Sequence, residues 1–585
     1  MKKLKYLSLF LFILITGCQK HNWLEPQPLS FFSPENVFNS KEGFESLLIS
    51  LRKDLKIDFY EEDNNIRCEF ASSDLGSPWS QLDFYKLTPN LSQYYRFLTM
   101  FIDAYGTIKN ANVLVSRIDN IKWNNESERN AILAEALWHR AYWYYRLVNS
   151  YGDVPYIGVE VTGPKLDYQT YTRDAILGKI QKDLEFAAEW LPASAPPGEI
   201  SKGAANHLLT KVYLANLEFD KAIAAASKVI DGGNYQLMTQ RFGSVASDGT
   251  RNLIWDLHRP ENFNIAQNRE TILACVDRYE APPGAKSTGI CTMRDYNPQW
   301  FQPQVLDSQG KPGMVAKGQE YDTLGRGNAN VRTTWSYQYG LWAYKGQTWQ
   351  NTTDLRRSDI NWVDINEIIY NNPASVDYGK PVKKEYLAQQ LDTFKHIYAL
   401  PQYILYAPQQ DPGATPRGGN ADWYVYRLAG TYLLRAEAYY WKGMLHEAAQ
   451  DINKVRERAH ALPIADNEVT LDFIFDERGR ELFAEEVRHS ELVRASFILA
   501  KRGDQGYNLS GISEKNYYYD RVMKYNPTYN DKVTLLGNTA AMAPFHMLWP
   551  IPESVITANT LATINQNKGY VGYEQNKPPL NKIDE

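Results

Sequence analysis

The sequence predicts a mainly helical protein with a tetratricopeptide-like helix-pair scaffold and a large irregular, loop-rich half that contains few short strands. Three observations lead to this fold class. Apolar residues recur every three or four positions through several long segments, and a nine-residue spacing between tyrosine and alanine occurs in two helix pairs. The helical period is absent from about 233 to 420, which defines the irregular half.

Amphipathic helices are predicted before residue 232 and again from 424 to 500. The first starts near Ser40, because the apolar residues from Phe44 to Leu55 fall at offsets of three and four. The helix through 126–150 stops where Gly152 and Pro155 follow, since glycine and proline end helices. The same period predicts helices over 92–119, 126–150, 172–191, 202–217, 219–232, 424–442, 444–461 and 470–500.

Two of these helix pairs share one template. Tyr213 precedes Ala222 by nine residues, and Tyr439 precedes Ala448 by the same distance. A large residue on one helix followed by a small residue on the next allows two antiparallel helices to approach closely. This spacing is typical of the tetratricopeptide pattern, and the signal is stronger in 428–458 than in 202–232.

Glycine, proline, asparagine and aromatic residues dominate between about 233 and 420. Short apolar segments such as 252–257 are candidates for short strands, although no regular sheet can be derived from them. The segment 502–548 is similarly irregular. The pattern therefore predicts helix pairs that support a large irregular cap.

The N-terminus has the features of a bacterial lipoprotein signal. Lys2, Lys3 and Lys5 precede the apolar run 6–15, which is too short to span a bilayer, and Gly17 stands just before Cys18. We expect cleavage after residue 17 and lipid attachment at Cys18, which would hold the protein on a membrane. A cleaved ordinary secretory signal is the alternative.

Charge and cysteine content restrict the function further. The formal net charge is −5, and it becomes −8 once residues 1–17, with three lysines and no acidic residue, are removed. Nucleic acid is therefore not an expected partner. Beyond Cys18 there are three cysteines, Cys68, Cys275 and Cys291, so one Cys275–Cys291 bridge can form and at least one thiol stays free.

Motifs for catalysis are incomplete. His446 begins a segment similar to a zinc-protease helix, but Gln450 stands where the second histidine ligand is needed, so a surface helix is expected. The segment 476–486 is rich in carboxylates. Its residues Arg478, Glu481, Glu485 and Arg488 lie three or four positions apart, which favours a structural row of ion pairs along one helix face over an acid and base pair.

Four stretches resemble the SusD/RagB family of surface glycan-binding lipoproteins. The helix that runs into Tyr-Gly-Asp-Val-Pro and the closing signature, with Asn-Gln-Asn-Lys-Gly-Tyr at 565–570, are the most distinctive. Together with Cys18, the motifs occur in the family's order along the whole chain. The stretches are 134–156, 427–459, 477–494 and 550–570.

The resemblance implies one composite domain over 40–570, after a signal peptide at 1–17 and a lipid-anchored tether at 18–39. The tail is 571–585. The scaffold is expected at about 40–60, 92–232 and 421–500, and the irregular, ligand-binding cap at about 61–91, 233–420 and 502–548.

The resemblance also implies function. Family members cover a SusC-like TonB-dependent transporter of the outer membrane and deliver glycans, or in some cases peptides, to it without catalysis. We therefore expect no enzymatic activity, no cofactor and a location on the cell-surface face of the outer membrane. No acidic pair follows Cys18 closely, so the surface face is inferred mostly from the family.

The ligand site is predicted from aromatic residues of the irregular half. Trp335, Tyr337, Trp342 and Trp349 lie in a short span that also holds polar side chains, as a sugar platform requires. The same alternation is equally typical of a strand whose aromatic face packs on the scaffold. A second wall is predicted from three residues in a turn-rich stretch, namely Asp74, Trp79 and Tyr85.

Two other classes of protein stay open at this point. A helical polysaccharide-degrading enzyme would need two facing carboxylates, for which Asp74 and Asp295 are candidates. A scaffold for protein interactions is the other alternative, since helix-pair repeats commonly serve that role.

Overall fold

The computed structural model describes residues 37–78, 84–90, 96–387, 395–535 and 538–584. Most of its regular structure is helical. The longer helices are α1 (Lys41–Asp54), α2 (Arg96–Arg117), α3 (Glu126–Ser150), α4 (Arg173–Trp190), α5 (Lys202–Ala215), α6 (Phe219–Ile230), α7 (Leu428–Trp441), α8 (Leu445–Arg458), α9 (Leu471–Glu481), α10 (Arg488–Arg502) and α11 (Tyr517–Tyr525).

Helices α2 to α8 form a row in which each helix packs against the next one along the chain. Helix α6 ends at Ile230 and α7 begins at Leu428, yet these two helices are neighbours in the row. Residues 231–427 are therefore an insertion between two adjacent helices. The predicted mainly helical fold with a large irregular half is confirmed.

Several helices begin at residues whose side chains cap the first turn. The side chain of Asn125 accepts a hydrogen bond from the Glu128 N–H at the start of α3, and Thr172 does the same for Ala175 at α4. Such caps satisfy N–H groups that have no partner within the helix. After α3 the chain turns at Gly152, whose φ of +71° lies in the left-handed region that glycine tolerates best.

The two predicted helix pairs are present as α5 with α6 and α7 with α8. Ala222 and Ala448, the small residues of the shared template, are both fully buried. Around Ala448 the apolar residues Ala436, Ile452 and Val455 are also fully buried and belong to the same cluster. Close approach of the helices thus depends on small side chains at these positions.

Replacing Ala448 with tryptophan is expected to lower the free energy of unfolding by about 1–3 kcal/mol or more, because a large ring cannot fit between two touching helices. Urea denaturation of the parent and the variant measures the difference. Gln450→Trp is the matched control, since Gln450 is exposed on the same helix. If both variants unfold at the parent's urea concentration, the nine-residue register is coincidental.

The prediction of one helix over 470–500 is wrong. The chain leaves the helical conformation between α9 and α10, and Ala484 has a φ of +60° there. This break directs Glu485 toward Arg427 and Glu486 toward Arg478, both on the interior. The predicted structural row of ion pairs along one helix face is instead a buried network shared by α9, α10 and their neighbours.

The suggestion of a strand at 252–257 is also wrong. Leu253–Leu257 is a short helix, and the Asn252 side chain caps it by accepting a hydrogen bond from the Trp255 N–H. Asparagine before an apolar run favours a helix start. Further short helices are Lys56–Phe59, Asn65–Ala71, Thr292–Tyr296, Gln319–Leu324, Trp335–Gln338, Gln402–Leu405, Pro527–Asn530 and Glu553–Ala558.

Strands are short and occur as antiparallel pairs. The longest pair joins Thr271–Cys275 to Trp423–Arg427, and the second of these strands leads directly into α7. The strands are β1 (Gly76–Ser77), β2 (Val154–Pro155), β3 (Thr170–Tyr171), β4 (Thr271–Cys275), β5 (Arg332–Thr333), β6 (Trp423–Arg427), β7 (Thr534–Leu535) and β8 (Asn538–Thr539), paired as β1–β5, β2–β3, β4–β6 and β7–β8.

The largest buried apolar cluster contains residues from both halves, for example Trp138 of α3 and Trp362 of the insertion. The three cysteines beyond residue 18 are buried and unpaired, so the Cys275–Cys291 bridge is not formed. Near the C-terminus, the Leu580 N–H donates to the Thr170 carbonyl, which docks residues of the tail on β3. None of the described helices is both long enough and apolar enough to cross a membrane.

Candidate ligand-binding cavity

The predicted aromatic span 335–349 begins directly after β5. The Thr334 side chain accepts a hydrogen bond from the Tyr337 N–H and donates to the Asp74 carbonyl, at 3.3 and 3.0 Å. These bonds start the short helix Trp335–Gln338 and fix it to the loop that contains β1. The span is helical and turn-like at this end rather than a strand.

The rings of this span divide into buried and exposed groups. Tyr337 is fully buried and stacks on Phe483, with ring centroids 4.2 Å apart. Trp342 is 2% exposed, and its indole N–H donates to the Tyr337 carbonyl at 2.7 Å. Both rings pack in the interior, although from a short helix and a turn rather than from the strand of the alternative interpretation.

Trp335 is different because 61% of its surface is exposed. Its ring centroid lies 6.0 Å from that of Tyr339, and the Tyr339 ring lies 5.1 Å from the half-buried Trp349. The Arg357 guanidinium covers Trp349 at 4.9 Å from the ring centroid. Trp335 is thus the one of the four predicted platform residues that offers a largely open ring.

The predicted second wall is not assembled at Trp335. Asp74 is 1% exposed and accepts hydrogen bonds from Arg488 and Arg521, each with a contact at 2.7 Å. Burial alone would raise the Asp74 pKa, but the two guanidinium groups outweigh it and lower the pKa to about 2. Tyr85 is exposed with its ring edge near His546, and Trp79 lies outside the described residues.

Trp335 lines a cavity of about 510 Å³. Its walls come from three parts of the chain: the segment 335–344, helix α9, and α11 with the short helix Pro527–Asn530 that follows it. Three further aromatic side chains line it, namely Tyr344, Phe473 and Tyr525. The size and the aromatic lining are typical of a site for a small organic ligand.

Polar groups lie between these rings. Arg480 donates through Nε to Glu477 and through Nη1 to the Leu341 carbonyl, and its Nη2 has no hydrogen-bond partner among the described residues. The Oδ1 atom of Asp476 accepts from Arg521, whereas Oδ2 has no partner within the described part of the chain. The cavity therefore offers a donor and an acceptor beside an open ring, together with Lys524 and Asn530.

Trp335, which lines this cavity, was predicted from the sequence as a site residue, but none of the residues of the opposite wall was. Phe473, Asp476 and Arg480 are spaced by three and four residues, which places them on one face of α9. That spacing was available in the sequence. Nothing in the sequence, however, indicates that this face lies across from Trp335 and next to Tyr525.

The carboxylates considered for catalysis do not face each other across this cavity. Asp476 is the one carboxylate among the described residues that line it. Asp295 is fully buried, accepts from Asn64 and Asn330, and has a pKa raised to about 6 chiefly by burial. In the described part of the chain, no three His, Cys, Asp or Glu side chains are grouped to hold a metal ion.

Comparison with known proteins agrees with this architecture. Residues 286–570 match the sequence model of the SusD family, and residues 22–214 match a second model, described as starch-binding associating with outer membrane. The chain is 23% identical to the SusD-like protein P25 of Formosa agariphila over 97% of this chain and 100% of that protein.

Solved structures share the fold. NanU of B. fragilis matches with a TM-score of 0.63 and 17% identity, covering 93% of this chain and 99% of that one. A laminarin-binding SusD-like protein matches with a TM-score of 0.60 and 20% identity, covering 91% and 100%. Because the two matched models together cover residues 22–214 and 286–570, well over half of the chain, the chain belongs to the SusD/RagB family.

Proposed function

We propose that this chain is a non-enzymatic lipoprotein of the outer-membrane surface that binds an oligosaccharide or polysaccharide and delivers it to a SusC-like TonB-dependent transporter. The observation that carries the proposal is the open Trp335 ring on a cavity with both aromatic and polar walls. Sugars present an apolar face and a rim of hydroxyl groups, and such a surface matches both features.

The cavity walls suit reversible capture. Covering the exposed Trp335 ring with the apolar face of one sugar contributes about 1–2 kcal/mol at roughly 25 cal/mol per Å². Hydroxyl groups can donate to the free Asp476 oxygen and accept from Arg480. Two or three ring contacts of this kind, together with hydrogen bonds of about 1 kcal/mol each, correspond to dissociation constants from about micromolar to millimolar, which allow release to a transporter.

Relatives support a carbohydrate ligand. One matched structure is described as a laminarin-binding SusD-like protein, and another as surface glycan-binding protein A from Bacteroides uniformis, with a TM-score of 0.60. Membership of the family also supports the transporter as partner. Co-purification of the native protein with a TonB-dependent transporter from detergent-solubilised envelopes tests that part of the proposal.

Trp335→Ala is expected to abolish retention on glycan affinity gels while the melting temperature stays nearly unchanged, because an exposed ring contributes to binding but little to folding. A panel of polysaccharides cast into native gels is the measurement, and Tyr378→Ala is the matched control. Tyr378 is 58% exposed and lies outside the cavity. If every polysaccharide that retains the parent protein also retains Trp335→Ala, this cavity is excluded as the glycan site.

Absence of catalysis is tested on the same ligands. We expect chromatography of each retained glycan after prolonged incubation with the protein to show no shortened products. Appearance of products that depends on active protein would favour the enzyme alternative.

Cys18→Ala is expected to leave the protein without a membrane anchor, since Cys18 is the acyl acceptor that the signal sequence defines. Labelling of cells with a clickable fatty acid, followed by purification, measures acylation. Continued labelling of the variant would contradict lipid attachment at Cys18.

A further inference from the structure

Charged side chains at the Trp335 cavity belong to two extended networks of ion pairs. In the first network, Arg521 forms ion pairs with both Asp476 and Asp472. Lys524 contacts Asp472 at 2.8 Å, so Lys524 and Asp476 belong to the same network. Arg480 contacts Glu477 at 3.1 Å and belongs to the other network. The net charge that a ligand meets in the cavity depends on the numbers of cationic and anionic side chains in each network.

The first network runs from the cavity to the helix row. Arg521 also contacts Asp74, which contacts Arg488, and the chain of pairs continues to Lys211 of α5. It contains six cationic and six anionic side chains. They are Lys211, Arg478, Arg488, Arg494, Arg521 and Lys524, with Asp74, Glu437, Asp472, Asp476, Glu486 and Glu491.

The second network is balanced as well. Glu477 contacts Arg480 and two further arginines, and the pairs continue to Glu485, which His258 also contacts. Apart from His258, it contains five arginine side chains and five carboxylates. They are Arg356, Arg427, Arg456, Arg458 and Arg480, with Glu270, Asp354, Glu477, Glu481 and Glu485.

A ligand carboxylate or sulfate would therefore meet no uncompensated cation in these networks. Lys524 and Arg480 each have a carboxylate partner, and the Asp476 Oδ2 atom, which has no partner among the described residues, would repel an anion. The net charge, −5 for the full sequence and −8 without residues 1–17, also disfavours the approach of a polyanion. Hydroxyl groups do not need a charge partner and can use both the donor and the acceptor.

We infer that the Trp335 cavity selects uncharged glycans over polyuronates and sulfated polysaccharides. This inference rests on the proposed function, because it specifies the class of glycan for the same cavity. The balanced networks hold Arg480, Lys524 and Asp476 in place as hydrogen-bonding groups, without a net charge that would attract an acidic chain.

Affinity gels with matched neutral and acidic polysaccharides test the inference. The probes are a β-glucan, a mannan, polygalacturonate and a sulfated galactan, each run at low and at high salt. We expect retention by at least one neutral glycan that is independent of salt and lost in Trp335→Ala, and no Trp335-dependent retention by the two acidic chains. Stronger Trp335-dependent retention by an acidic chain would overturn the inference while leaving the proposed function intact.

Asp476→Asn removes one negative charge from the first network. We expect it to create Trp335-dependent retention of polygalacturonate or to increase it by about fivefold at low salt, and high salt should remove the gain. The melting temperature shows whether the variant is folded. If Asp476→Asn gains nothing, Asp476→Lys, which changes the charge of the first network by two, provides a second measurement: a folded Asp476→Lys protein that still shows no Trp335-dependent retention by polygalacturonate overturns the role of charge. If Trp335→Ala is retained by every probe as strongly as the parent is, the proposed function is overturned, and the inference with it.

Discussion

Replacing Glu481 with alanine is expected to lower the free energy of unfolding by about 3–5 kcal/mol, because it leaves buried arginines without their shared carboxylate. Glu481 is 3% exposed and lies between Arg427, Arg458 and Arg356. Burial alone would raise the Glu481 pKa, but the three guanidinium groups outweigh it and hold the pKa well below its usual value.

Urea denaturation followed by tryptophan fluorescence measures this loss. The matched control is Glu514→Ala, because the Glu514 side chain is 73% exposed in its ion pair with Lys568. That substitution should leave the unfolding curve unchanged, since exposed pairs contribute little. An unfolding curve for Glu481→Ala that overlaps the parent's would show that the interior does not depend on charge balance.

Replacing Trp342 with alanine is expected to cost about 3–5 kcal/mol of stability, the range for removing a large buried aromatic side chain. The Trp342 ring packs edge-on against Tyr337 and Trp362, with centroids 6.2 and 6.0 Å away. Its loss would leave a cavity beside these two aromatic rings and remove the hydrogen bond from the indole N–H to the Tyr337 carbonyl.

Comparison with Trp335→Ala makes this prediction specific. The two tryptophans are seven residues apart, but one is 61% exposed and the other 2%. Thermal melts and affinity gels should therefore respond in opposite ways: Trp342→Ala lowers the melting temperature, and Trp335→Ala lowers glycan retention. Equal melting temperatures for the two variants would contradict the assignment of Trp342 to the core.

The helices of the row could be predicted because their signals are local. In α3, the cap at Asn125, the periodic apolar residues and the stop at Gly152 all lie within one segment. The register of α7 and α8 was also predictable, since Tyr439 and Ala448 are close in the chain, and Tyr439 packs against the buried cluster that contains Ala448.

The break between α9 and α10 was not predictable in this way. Residues 470–500 continue a helical period, and the chain departs from it at Ala484 because long-range contacts outweigh local propensity. The Trp423 indole N–H donates to the Ala484 carbonyl, and Arg427 binds Glu485. Both partners lie on β6, about sixty residues earlier in the sequence.

The sequence by itself determined the helix pairs, the presence of an irregular half, the lipoprotein-like N-terminus and the family resemblance, because periodicity and ordered motifs are properties of the chain. Only the tertiary structure decided which aromatic side chains are open to a ligand. Tyr337 and Trp342 are buried by partners such as Phe483 and Trp362. Trp335 stays exposed because it faces α9 and α11 across a cavity, and that juxtaposition of distant segments depends on how the whole chain packs.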